Sequence, residues 1–151
     1  MIKLLLLLFI TGITHNDPPL DKMTNQDQET GTIIIQLDDL KNQDGVILIS
    51  LYADEEGFPD EWEIAFRSEI VPITSDSMEI TLDEIPHGTY GLAVVHDENE
   101  NMKLDTNFLG IPREGYGFSN NARGRFGPPS FADVLFTLDS DTSVHQIKLN
   151  Y

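Results

Sequence analysis

The chain has 151 residues, no cysteine, and a formal net charge of -17 from 26 acidic against 9 basic side chains. That length suits one domain with a single hydrophobic core, and the charge repels nucleic acid and anionic lipid, which sets nucleic-acid binding aside. The missing cysteine excludes disulfides, thiol catalysis and a lipidated cysteine, and none of this argues against export.

Residues 1–14, MIKLLLLLFITGIT, have a basic start at Lys3 and then an apolar segment too short to span a bilayer, the pattern of a signal peptide. Gly12 and Thr14 form a small-x-small pattern that places cleavage near Thr14. An exported protein is therefore expected, with no membrane span in its mature form. Residues 15–30 are polar and contain Pro18 and Pro19, as in a disordered lead-in. The folded domain is expected over residues 31–151.

From Gly31 onward, short runs rich in Ile, Val, Tyr and Phe alternate with polar residues and are separated by turn residues. They predict strands at Thr32–Leu40, Val46–Ala53, Glu63–Ile73, Met78–Leu82, Thr89–His96, Ala132–Leu138 and Val144–Asn150, with a helical turn around Trp62–Ile70 as the alternative for the third. NQDG at Asn42–Gly45 reads as a hairpin turn, and Pro86–Gly88 as the entry to the next strand. About seven such strands, with no helix-length periodic segment, predict an all-β fold, an antiparallel β-sandwich. Between Asp54 and Glu63 lies an acidic connection whose Phe58 and Trp62 are expected to be core anchors. The segment from Asp97 to Phe131 has little strand character. It is expected to be one long ordered loop that packs on itself, with Phe108, Tyr116, Phe118 and Phe126 filling the space beneath.

That loop opens with HDENENMKLDTN, which places oxygen-bearing side chains at alternate positions. Calcium takes six to eight hard oxygen ligands, and a loop can supply them from positions 1, 3, 5, 7 (through a backbone carbonyl) and 9. Counted from Asp97, the frame selects Asp97, Asn99, Asn101, the carbonyl of Lys103, and Asp105, with Leu104 as an apolar anchor and Glu98 and Glu100 pointing outwards. Position 6, normally glycine for a sharp turn, is Met102, and position 12, normally a bidentate glutamate, is Phe108. Asn107 or Glu114 would have to complete the shell. Such a site is expected to be weak, with a Kd on the order of 10⁻⁴ to 10⁻³ M. The competing interpretation needs no metal, because Asp and Asn form side-chain-to-backbone turns and tolerate left-handed backbone. His96 is expected to be a hydrogen-bonded structural residue, since adjacent strand residues point to opposite faces and would not share an ion with Asp97.

Four of the basic residues, Lys103, Arg113, Arg123 and Arg125, fall within or beside this loop. Internal ion pairs that tether it are the first expectation. A weaker site for an anionic small molecule would use Arg123 and Arg125 as donors with Tyr116 or Phe118 as a wall. No nucleophile elbow occurs, since GFSNN around Ser119 lacks the second glycine, and no phosphate-binding glycine loop is present. A non-enzymatic protein is expected, with an unknown partner. The alternative is a carbohydrate hydrolase using a carboxylate pair that the sequence does not locate.

The run HDENENMKLDTNFLGIPREGYGFSNNARGRFGPPSF, together with TIIIQLDDL, ISLYADEEGFP, IPHGTYGLAVVHD and HQIKLNY, resembles the exported bacterial family catalogued as domain of unknown function 2141. The resemblance implies a periplasmic or secreted protein of the bacterial envelope, with an unknown envelope or extracellular partner (envelope carbohydrate, in the hydrolase alternative), a β-sandwich of immunoglobulin or transthyretin type and no established activity. It also implies glycine where this chain has Met102, and agreement at Asp97, Asn99, Asn101, Asp105 and Asn107.

Overall fold

The first strand, β1 (Thr30–Leu37), keeps the two-residue period of its sequence: Ile33, Ile35 and Leu37 are buried while Thr32, Ile34 and Gln36 are partly exposed. The computed structural model describes residues 28–151. The signal peptide expected at residues 1–14, and the lead-in expected at residues 15–30 as far as residue 27, lie outside the described residues.

After β1 come β2 (Val46–Tyr52), β3 (Arg67–Pro72), β4 (Met78–Pro86), β5 (Gly88–Asp97), β6 (Gly115–Phe118), β7 (Leu135–Leu138) and β8 (Thr142–Ile147), with a single helical turn, α1 (Phe131–Val134). One sheet has the order β4-β1-β8; the other runs β3-β2-β5-β6, with β7 also pairing with β5. All pairs are antiparallel except β1 and β8, which run parallel from Thr32↔Thr142 to Leu37↔Ile147. The fold is the expected β-sandwich.

Its main core lies between the sheets, where Ile33, Ile35 and Leu37 meet Ile47, Ile49, Leu51, Leu92 and Val94. A second cluster of Tyr52, Ala93, Phe118 and Val134 is covered by Phe58 and Phe131. Its members alternate with core residues along β2 and β5, so it occupies the outer face of the larger sheet. Those two strands are thus buried on both sides, which is why β2 is buried at every position. Of the two expected anchors Phe58 acts as one, within 5.4 Å of Tyr52, 5.7 Å of Phe118 and 5.3 Å of Phe131 between ring centroids, whereas Trp62, in the 3₁₀ turn, is only partly buried and belongs to neither cluster.

Several boundaries depart from expectation for identifiable reasons. Trp62–Ile64 forms a 3₁₀ turn, so the third strand starts only at Arg67. The first half of the expected Ala132–Leu138 strand is α1. NQDG does not close a hairpin, because β1 and β2 belong to different sheets; the turn carries the chain across the sandwich, with Gly45 at φ 70. β6 arises inside the expected long loop. Its GYGF sequence has no alternation of apolar with polar residues to reveal it, and the glycines are there because neighbours fill their place: a Cβ at Gly117 would lie 2.7 Å from Ile147, and one at Gly115 would lie 2.5 Å from Tyr151.

Candidate functional site

The oxygen-rich loop leaves the end of β5, where His96 and Asp97 are both fully buried. His96 Nε2 lies 2.9 Å from the Asp44 carbonyl, which can only accept, so that nitrogen carries the proton. Nδ1 then accepts from the Tyr151 hydroxyl at 2.7 Å, and that hydroxyl accepts from the Lys41 amide at 3.1 Å. Burial, foremost, raises the Tyr151 hydroxyl above its ordinary value, which keeps it protonated and able to donate. His96 is thus a structural bolt between β5 and the Lys41–Asp44 turn. Gly45 lets that turn approach: a Cβ there would lie 1.9 Å from the Asp97 carbonyl oxygen.

Asp97 organises the loop's first turn. Its Oδ1 accepts from the Asn101 amide at 3.1 Å and its Oδ2 from the Met102 amide at 2.7 Å. Asn99 Oδ1 accepts from the same Asn101 amide at 3.1 Å, and Asn101 Oδ1 accepts from the Lys103 amide at 3.0 Å. These bonds wind the backbone tightly enough that Glu100 and Met102 both take left-handed φ, 60 and 64. Met102 therefore adopts the conformation for which position 6 normally uses glycine. The side-chain amides of Asn99 and Asn101 both point at one carboxylate: their Nδ2 atoms lie 2.7 Å from Asp105 Oδ2 and 3.0 Å from Asp105 Oδ1.

Four of the six candidate residues, Asp97, Asn99, Asn101 and Asp105, are joined by these bonds, and Lys103 enters through its backbone amide. Asn107 belongs to the next turn, where its Oδ1 accepts from the amides of Leu109 at 2.8 Å and Ile111 at 3.1 Å. Glu114 is the residue whose role spacing did not reveal. Only 4% exposed, it accepts from the Glu98 amide at 2.9 Å through Oε1 and from the Asp105 amide at 2.8 Å through Oε2, strapping the two ends of the loop together. Glu98 does not point away as expected. Its carboxylate takes Asn42 Nδ2 at 2.8 Å and Lys41 Nζ at 3.1 Å, and these, the Asn42 amide foremost, hold it below its ordinary value.

The four loop cations do not form the expected tethers: among the described residues none of Lys103, Arg113, Arg123 and Arg125 makes an ion pair, and all are exposed, where solvent leaves little incentive to pair. Nor are Arg123, Arg125, Tyr116 and Phe118 gathered into one pocket. Arg123 borders a shallow cavity of about 360 Å³ with Asp38, Asp39 and Lys148, Arg125 lies 5.5 Å from the centroid of the Phe126 ring, and Phe118 is buried in the second cluster with Tyr116 against it. Phe108 and Phe126 fill no space beneath the loop, being 95% and 94% exposed.

Among the described residues, no three His, Cys, Asp or Glu side chains come together as a metal-holding group, so amide and backbone oxygens would have to complete any shell. No helix among the described residues is long and apolar enough to cross a membrane. The family model described as "Uncharacterized protein conserved in bacteria (DUF2141)" matches residues 35–146, from β1 through the whole loop to β8. No curated protein and no solved structure matches the chain.

Proposed function

The chain belongs to this uncharacterized bacterial family, and from that premise we propose that it is an exported, non-enzymatic β-sandwich module that binds or supports a partner in the bacterial envelope, its long loop organised by a weak calcium site. Export rests on the leader pattern of residues 1–14. The protein recovered from the periplasm should begin beyond Thr14; retention of Met1, or a purely cytosolic location, would contradict export.

The observation that carries the calcium reading is the convergence of the Asn99 and Asn101 amides on the Asp105 carboxylate, beside left-handed backbone at Met102. Two amide N–H groups stand where a cation facing Asp105 would stand. The Asn99 and Asn101 oxygens each accept from one backbone amide and still have acceptor capacity, so a cation entering there would displace the two NH₂ groups and gather oxygens of the kind calcium prefers. With few carboxylates at the centre, the site would be weak and selective for hard cations.

Terbium luminescence tests this directly. The wild-type chain should show saturable emission that millimolar calcium competes away, and Asp105→Ala should abolish it. No ion-dependent signal in the wild type at millimolar calcium would remove the metal and leave the loop as a run of side-chain-to-backbone turns.

A further inference from the structure

Beyond the cation loop, residues 105–113 form a small hairpin that projects from the sandwich. The Arg113 amide donates to the Asp105 carbonyl at 2.8 Å, Thr106 pairs with Pro112, and the Asn107 amide donates to the Ile111 carbonyl at 2.8 Å. Its three-residue tip, Phe108-Leu109-Gly110, closes with the Gly110 amide on the Asn107 carbonyl at 2.9 Å and Gly110 at φ 77, the geometry of a tight turn followed by a left-handed glycine. The hairpin is held by hydrogen bonds and by the Glu114 strap on Asp105, not by packing of its own side chains. Phe108 is 95% exposed, Leu109 68% and Ile111 55%.

We propose that this finger inserts into the interfacial zone of a phospholipid bilayer of low net charge. Three features favour a bilayer over a protein cleft. First, the amides of Asn107, Leu109, Gly110 and Ile111 already have acceptors inside the hairpin, so the tip can leave water with few backbone donors unpaired. Second, three apolar side chains can bury roughly 400 Å², about half of what one partner contributes to a standard protein interface, whereas reversible membrane docking needs no more than a few such side chains. Third, Arg113 at the base of the hairpin and the nearby Lys103 are exposed and make no ion pair among the described residues, so they are free to meet lipid phosphates. The net charge of -17 on the whole chain opposes a strongly anionic surface, which points to zwitterionic lipid.

The test places a reporter at the tip. A chain carrying Trp62→Phe and Phe108→Trp is mixed with phosphatidylcholine vesicles in the presence of chelator, so that the outcome does not depend on calcium. The indole at position 108 should shift to the blue and be quenched by lipids brominated near the headgroup end of their chains. Adding Leu109→Ser, at an exposed position that leaves the fold intact, should weaken partitioning about tenfold. Doping the vesicles with phosphatidylglycerol should weaken it further at low salt. No shift and no quenching at millimolar lipid would overturn the proposal. So would a shift that follows protein concentration without lipid, which would assign the finger to a second copy of the chain.

Discussion

Met102 holds a conformation that a β-carbon disfavours by about 1 kcal/mol, with φ at 64 and its amide on buried Asp97 at 2.7 Å. The Asp97 carboxylate wins because leaving it buried with unmet acceptors costs more, on the order of 1–3 kcal/mol. Met102→Gly should therefore stabilise the protein, by at most about 1 kcal/mol, and tighten cation binding; denaturant midpoints and terbium titration would read both. A clear loss of stability would mean that the methionine side chain, which is only partly buried, matters more than its backbone. Glu114 offers the complementary case. Glu114→Gln replaces one carboxylate oxygen with an NH₂ that must face the Glu98 or the Asp105 amide, donor against donor. Urea unfolding should show a loss of about 1–3 kcal/mol at unchanged slope, and an unaltered midpoint would contradict the strap.

At the scale of elements, the loop is held to the crossover between β1 and β2 by two connections, the His96–Asp44 bond and the clamp of Glu98 on Lys41 and Asn42. The clamp has a pH signature. Its partners lower the folded-state value of Glu98 beneath the ordinary 4.5, so its contribution is fully present above pH 4.5 and is lost as pH falls through the lower folded value. Glu98→Gln should destabilise by about 0.5–1 kcal/mol at neutral pH, and the difference from wild type should close as the pH drops below 4.5. A difference that persisted unchanged into acid would show that the amide bond from Asn42, and not the carboxylate charge, does the holding.

For the whole molecule, the strands that sequence reveals are those with one buried face or a long apolar run: β1, β2 and β5 all fall within a few residues of their expected ends. β6 escapes because Gly115 and Gly117 yield their space to Tyr151 and Ile147, which are distant in sequence. α1 escapes because its four residues are too few to show a helical period. The site divides in the same way. The alternation of Asp97, Asn99, Asn101 and Asp105 is local and therefore legible. Glu114 as a strap, Glu98 as a clamp and the exposure of Phe108 depend on where the hairpin and the crossover are carried by the fold, and spacing carries no trace of that. Calcium bound only by the native state must stabilise it, and at ten times the Kd the gain is about 1.4 kcal/mol, or about 5 °C in melting temperature for a domain of this size. The most direct measurement is therefore the melting temperature of the wild type and of Asp105→Ala, with chelator and with several millimolar calcium: the wild type alone should gain about 5 °C, and equal melting of the wild type in both conditions would contradict a cation at the loop.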